Sequence, residues 1–210
     1  MTVDLCSIYL IRHGETDWNQ QRRIQGHSES SLTSAGIRQT QQAGNQLKNI
    51  RFDHIYCSPS QRTTQTLEII LPQLTNTPAI GFEPALKEIY LAHWEGQLHA
   101  EVANIEPDRY DKYLYQPQLF SIPNGESYFD LQQRAWNWFT EVVYHQTFQN
   151  ILIVSHGVWI RTLLAKICAI PLEKLDQIPR LDNCEIRVVT IDRQLQLQFR
   201  GNYPADRYIQ

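Results

Sequence analysis

Arg12 and His13 stand side by side at the end of an apolar run, Leu5 to Ile11, that is rich in β-branched residues. Such a run reads as a buried strand, and the carboxyl end of a strand is where an open α/β sheet keeps its ligands. An imidazole is both nucleophilic and largely neutral near pH 7. A neighbouring guanidinium disfavours its protonation further. Together the two side chains can attack a phosphoryl group and hold its oxygens, while Gly14 lets the chain turn there without a Cβ clash.

Two more strand ends carry chemistry of the same sign. Asp53 to Ser58 reads as a strand, and Ser58-Pro59-Ser60 as a helix start, with Ser58 as cap and Pro59 at the first helical position of a helix running to about Leu71. Arg62 then lies in the first turn, where free backbone donors add positive potential for an anion. Asn150 to Ser155 is almost wholly apolar and ends in Ser155-His156-Gly157 before a helix over Val158 to Cys168. If these strands are neighbours, Arg12, His13, Arg62 and His156 converge. Two guanidinium forks suit bidentate phosphate binding, and fixed cations can stabilise the equatorial oxygens in phosphoryl transfer without a metal. A departing alkoxide needs a proton from the far side of the phosphorus. Glu88 is the candidate, because a carboxyl beside a dianionic phosphate is disposed to hold a proton and can later serve as base toward water.

The elements that must position these groups alternate between strand and helix. Thr33 caps a helix over Ile37 to Leu47, a short strand covers Ala79 to Phe82, and a helical pattern from Leu98 to Tyr115 is interrupted by Pro107. Asn124-Gly125-Glu126-Ser127 opens an amphipathic helix to about His145. Cys184 to Ile191 and Leu195 to Arg200 read as a pair of edge strands joined near Asp192-Arg193-Gln194, and no regular structure is predicted from Asn202 onward. The expected fold is α/β: a three-layer α/β/α sandwich with a mostly parallel central sheet and a helical cap insertion over about 91–125, all in one domain spanning 1–210.

Composition narrows the function classes. The 210 residues carry a net charge of -3 with 42% hydrophobic and 20% charged residues, which fits one globular domain and offers no basic field for nucleic acid or an anionic membrane. No apolar run approaches a membrane span, and the N-terminus lacks the pattern of a signal peptide, so a cytoplasmic protein is expected. Cys6, Cys57, Cys168 and Cys184 are scattered without metal-type spacing and read as reduced core residues, three in strands and one in a helix. No metal and no cofactor are expected.

The sequence resembles the histidine phosphatase superfamily, also called phosphoglycerate-mutase-like, in four motifs that occur in order: Arg12-His13-Gly14-Glu15-Thr16 through Asn19, Ser58-Pro59 through Arg62-Thr63, Glu88, and Ser155-His156-Gly157. The resemblance implies that His13 is the phosphorylated nucleophile, that Arg12, Arg62 and His156 bind the phosphoryl group, that Asn19 and the turn at Gln25-Gly26 add contacts, and that Glu88 donates the proton. The chain looks like a phosphatase rather than a cofactor-dependent phosphoglycerate mutase. It is shorter than those mutases, its insertion lacks their paired arginines, its tail is not rich in lysine, and Gln25 precedes Gly26 as in many small phosphatases.

The implied activity is metal-independent hydrolysis of a small phosphate ester through a phosphohistidine. Length and the Asp182-Asn183 run resemble metal-independent phosphoserine phosphatases. Two features depart from them: Leu91 stands where those enzymes place a substrate-reading histidine, with His93 only nearby, and Asn202 to Arg207 does not reproduce their tail. 3-Phosphoglycerate, sugar phosphates and ribazole phosphate remain open. A phosphoprotein phosphatase or a phosphate-binding module is the rival from another class, set against the complete catalytic equipment and the cap. Arg109 and Lys112 could steer a substrate carboxylate, and His27 and His93 could touch substrate. His54 and His145 read as surface residues, and the aromatics between Trp94 and Tyr128 as cap packing. The edge strand at the C-terminal end could pair across a homodimer.

Overall fold

Apolar side chains at every position of a strand need a layer on each face, and the chain builds both. A computed structural model describes residues 6–144, 150–192 and 196–203. In chain order the elements are β1 (Cys6–Arg12), α1 (Asp17–Gln20), α2 (Ser34–Leu47), β2 (His54–Cys57), α3 (Gln61–Ile70), β3 (Ala79–Phe82), α4 (His99–Ile105), α5 (Pro107–Tyr115), α6 (Tyr128–Trp138), β4 (Asn150–Ser155), α7 (Gly157–Ile167), β5 (Ile186–Ile191) and β6 (Leu197–Tyr203).

The sheet has six strands in the order β3-β2-β4-β1-β5-β6. The first four run parallel, β5 runs antiparallel to β1, and β6 runs antiparallel to β5. Alternation along the strands divides the core in two. Ile8, Leu10, Ile151 and Ile153 point to one face and pack with Leu131, Ala135, Leu163 and Leu164 of α6 and α7. Ile11, Leu152 and Val154 point to the other and pack with Ala43, Leu47, Leu67 and Ile70 of α2 and α3. This is the expected three-layer α/β sandwich. Its register matters most at the carboxyl edge, where Arg12 lies opposite Ser155 and Cys57 opposite Val154, so that β1, β4 and β2 deliver their ends side by side.

Several local expectations are corrected. α3 starts at Gln61 with Ser60 at the cap position, not at Pro59 with Ser58 as cap, because the Ser58 hydroxyl is engaged by His156. β5 lies inside the sheet between β1 and β6, so the edges are β3 and β6. Cys184 sits in a left-handed turn (φ 60°) before β5 instead of starting the strand. All four cysteines are free. β6 extends through Asn202 and Tyr203, while His145, the turn at 193–195 and the tail from 204 lie outside the described residues.

Between β3 and β4 the chain folds α4, α5 and several turns over the carboxyl edge. Trp94, fully buried, packs its ring against Tyr110, Tyr113 and Phe120 at centroid distances of 5.6–6.1 Å. These aromatics hold the segment together, as expected of cap packing. Among the described residues no helix is long and apolar enough to cross a membrane.

Candidate active site

The loop after β1 is fixed by close packing. A Cβ on Gly14 would lie 2.7 Å from the Thr40 hydroxyl and 2.8 Å from the Gly36 carbonyl, so the glycine serves close approach to α2. Cys184 N donates to the carbonyls of both Arg12 and His13, and Asn183 Nδ2 donates to the His13 carbonyl at 3.1 Å. The backbone that carries the pair is therefore held from two sides.

His13 is 3% exposed, and its Nδ1 lies 2.8 Å from the Gly14 carbonyl oxygen. A carbonyl only accepts, so Nδ1 carries the hydrogen and Nε2 presents a lone pair. Burial, then the charges of Arg62 and Arg12, hold the imidazole pKa well below its ordinary value, against a smaller opposing effect of the Gly14 bond. At pH 7 the His13 imidazole is thus neutral and held with its Nε2 lone pair available.

Arg62 is fully buried and Arg12 partly buried, and among the described residues neither has a carboxylate within ion-pair distance. Arg12 donates from Nη1 to the Leu181 carbonyl, and its buried Nε has no partner. Arg62 donates from Nη1 to the Ser28 carbonyl (2.8 Å), from Nη2 to the Gly26 carbonyl (2.7 Å) and from Nε to His156 Nδ1 (3.2 Å). Gly26 offers its carbonyl from a left-handed turn (φ 55°) where a Cβ would strike Glu95. An unpaired buried charge costs several kcal/mol (roughly), and an anion between the two guanidinium groups would remove that cost.

His156 is brought close to His13, with ring centroids 5.3 Å apart. It nevertheless stands behind Arg62: Nδ1 accepts from Arg62, so Nε2 carries the hydrogen and donates to Ser58 Oγ at 2.8 Å. Neither nitrogen is free toward the cavity, and this ring orients Arg62 in the ligand-free site. Burial and the neighbouring cations lower its pKa well below the ordinary value as well.

Glu88 is seated at the N-terminus of α7. Its Oε1 accepts from the N–H groups of Ile89 and Trp159, and its Oε2 from that of Val158, each at 3.0 Å. These include donors that the first helical turn leaves unpaired. Arg134 fixes the preceding backbone by donating to the carbonyls of Ala85, Lys87 and Glu88 while pairing with Glu126. Oε2, with one such donor against two, is the less engaged oxygen.

Asn19 belongs to the capping box of α1. Its Oδ1 accepts from Thr16 N (3.2 Å) and Asn183 Nδ2 (3.3 Å), which leaves the amide nitrogen as its donor. Gln25 Nε2 contacts Thr16 Oγ1, and its buried Oε1 is without a partner. Interchanging the two amide atoms lets the Thr16 hydroxyl donate to Oε1 and leaves Nε2 as the unpartnered buried donor, the polarity that a phosphoryl oxygen requires.

Arg12, His13, Asn19, Gln25, Gly26, Arg62 and Glu88 line one cavity of about 230 Å³. Arg109, expected to steer substrate, instead pairs with Glu106, as does His93. His27 contacts the Glu88 carbonyl from behind at 2.9 Å. Sequence reading passed over Arg161, Arg180, His99, Tyr113 and Tyr128, which complete the cavity wall. Arg161 had a signal: it follows the wall-lining Gly157 by four residues and Val158 by three, the spacing of one helix face. Among the described residues no group of three or more His, Cys, Asp or Glu side chains could hold a metal ion.

Two buried neutral histidines have a consequence for stability. Their folded pKa values lie below the unfolded value of about 6.5, so the unfolded chain binds more protons in that window. Stability is complete above about pH 6.5 and is lost as pH falls from there through the folded values, by about 1.4 kcal/mol per pH unit for each histidine. Urea melts between pH 7.5 and 5 should show this fall, and His156→Gln should reduce its slope. A flat profile would contradict the burial of the neutral rings.

A buried nucleophilic imidazole between two unpaired guanidinium groups, at the carboxyl edge of a mostly parallel sheet, defines an enzyme site for phosphoryl chemistry. The comparisons agree. The chain belongs to the histidine phosphatase superfamily, branch 1, whose family model matches residues 8–199. It is a phosphoric monoester hydrolase of that family. The chain is 35% identical over 183 residues to the probable phosphoglycerate mutase GpmB of Proteus mirabilis, covering 87% of this chain and 83% of that protein. Among solved structures, Bacillus stearothermophilus YhfR matches with a TM-score of 0.88 and 32% identity over 96% of this chain and 98% of its own. The phosphoserine phosphatase of Entamoeba histolytica, solved in complex with 3-phosphoglyceric acid, matches with a TM-score of 0.79 and 26% identity over 94% and 96%.

Proposed function

We propose that this chain hydrolyses a small phosphorylated metabolite through a phosphohistidine at His13, without a metal, and that phosphoserine is the first substrate to test. The observation that carries this reading is the pair of carboxylate-free guanidinium groups, Arg62 buried and Arg12 partly buried, flanking a neutral imidazole whose Nε2 lone pair is free. Nε2 attacks phosphorus, the ester P–O bond breaks, and the leaving alkoxide takes a proton from Glu88. Water then attacks the phosphohistidine, gives its proton back to Glu88, and releases inorganic phosphate with His13 regenerated. Asn19 and Gln25 donate to the phosphoryl oxygens, and His156 holds Arg62 in place. Phosphoserine rests on the Asp182-Asn183 run, on Asn183 gripping the His13 carbonyl, and on the likeness to a phosphoserine phosphatase.

The test is hydrolysis of a panel of phosphate esters, with phosphoserine and 3-phosphoglycerate included and EDTA present. Chelator-resistant release from one compound supports the reading and names its substrate. The mutase name of the Proteus relative favours a second reading. Isomerisation of 3-phosphoglycerate with the bisphosphate, and no phosphate release, would decide for it.

The role of Glu88 has its own signature. Glu88→Gln is expected to slow alkyl esters such as phosphoserine by roughly 10²- to 10⁴-fold. It should slow p-nitrophenyl phosphate by less than about tenfold, because that leaving group departs without a proton. Equal losses on both substrates would show that Glu88 acts only by anchoring α7.

A further inference from the structure

Arg161 and Arg180 are the two cationic wall residues that the phosphoryl chemistry does not use. Arg161, on α7, donates from Nε to the Ile178 carbonyl (3.0 Å) and from Nη2 to the Leu175 carbonyl (2.9 Å). Those two bonds lock the fork and leave Nη1 unassigned. Arg180 has no hydrogen bond or ion pair among the described residues, yet it lines the same cavity. Its charge is felt at Tyr113, Tyr128, His99 and Arg161, which places it among them.

The position of the pair within the cavity is specific. A second cavity of about 400 Å³ adjoins the first and shares Tyr113, Leu114, Tyr128, Arg161 and Arg180 with it, but none of Arg12, His13, Arg62 or Glu88. The two arginines therefore belong to the wall that the cavity holding His13 shares with the second one. The second cavity also carries Glu173 and Asp176, and the charge of Asp176 reaches Arg161. Those carboxylates disfavour an anion in the second cavity and leave the face toward His13 as the favourable side. The cationic side chains that sequence reading assigned to this task, Arg109 and Lys112, are absent from the walls of both cavities.

We infer that Arg161 and Arg180 form a second anion subsite, which selects phosphate esters whose leaving group carries a further carboxylate or phosphate within reach of that wall. The inference deepens the phosphomonoesterase reading and rests on it for the first anion. The Arg161 fork, already pinned by two carbonyls, loses little freedom on binding, and its partial burial strengthens a charge-assisted bond; Arg180 is exposed and contributes its charge alone.

Calorimetry with hydrolysis-proof phosphonates tests it on the intact protein. Propylphosphonate supplies one anion, 3-phosphonopropionate adds a carboxylate, and propane-1,3-diphosphonate adds a second phosphonate. The wild type should bind at least one of the doubly anionic ligands on the order of 10- to 100-fold tighter than propylphosphonate, and whichever is preferred tells carboxylate from phosphate. In Arg161→Gln/Arg180→Gln that ratio should fall to about one. Arg180→Gln alone, which breaks no hydrogen bond, should lower it severalfold and keeps the test valid if loss of Arg161 unfolds the chain. Equal affinities in the wild type, or a preference that survives in folded variants, overturn the subsite. Turnover of p-nitrophenyl phosphate by the wild type is read separately. Its absence would count against the phosphatase reading and leave the affinity ratio intact as a measure of the subsite.

Discussion

His13→Ala is expected to lower turnover of every phosphate ester by roughly 10⁴-fold or more. The loss is large because the variant lacks the atom that becomes covalently bonded to phosphorus, and no other side chain in the cavity can replace it. Of the other imidazoles at hand, His156 has both nitrogens committed to Arg62 and Ser58, and His99, on the cavity wall, engages the Tyr110 hydroxyl. Inorganic phosphate should still bind, since Arg12 and Arg62 remain. Two readouts separate a lost nucleophile from a collapsed pocket. Rapidly quenched wild type should carry an acid-labile phosphoryl group on protein, and the variant should carry none while retaining a phosphate-induced rise in Tm. A variant that kept more than about 1% of wild-type turnover would falsify the phosphohistidine route. Retained binding without any wild-type turnover would point to a phosphate-reading module.

Arg62→Met is expected to cost on the order of 10³-fold in kcat/KM while leaving the ligand-free protein nearly as stable as before. The first effect follows from removing a fixed, desolvated cation from the oxygens on which charge develops, where even one lost donor costs roughly 10²- to 10³-fold. The second follows from opposing terms of similar size. Methionine removes bonds to the Gly26 and Ser28 carbonyls and to His156 Nδ1, at about 1–3 kcal/mol for each acceptor left buried and bare. It also removes a buried charge with no carboxylate partner, whose desolvation penalty is several kcal/mol (roughly). In phosphate buffer the balance tips, because only the wild type gains a ligand for that charge. Melting curves with and without phosphate measure this directly. A variant destabilised equally in both media would mean that Arg62 is structural. Arg62→Lys should not rescue activity, since an ammonium cannot reproduce the planar fork.

Much of the site was legible in the sequence because its parts sit at strand ends, and strand ends are marked locally. An apolar run closing in Arg12-His13-Gly14, another closing in Ser155-His156-Gly157, and a strand running into Ser58-Pro59-Ser60 each announce a carboxyl edge. Thr33 announced α2 by the same local chemistry, and its hydroxyl does accept from Gly36 N. Arg62 was placed correctly in the first turn of α3 even though the cap itself was misassigned, because the helix starts two residues late without turning its face away from the site.

Long-range pairing was not legible. Nothing local in Ser58 says that its hydroxyl will face His156 across 98 positions of chain, and nothing in Glu106 says that it will take both His93 and Arg109 out of play. The sequence by itself determined the layered α/β architecture, the order of the motifs and which side chains stand at the strand ends, since periodicity, capping and turn chemistry act over a few residues. The tertiary structure decided which cations meet an anion and which are spent on neighbours. That choice depends on burial and on competing partners brought together by sheet order: β4 inserted between β1 and β2 puts Arg62 over His156, and the packing of α7 against the 172–180 segment leaves Arg161 and Arg180 facing the cavity.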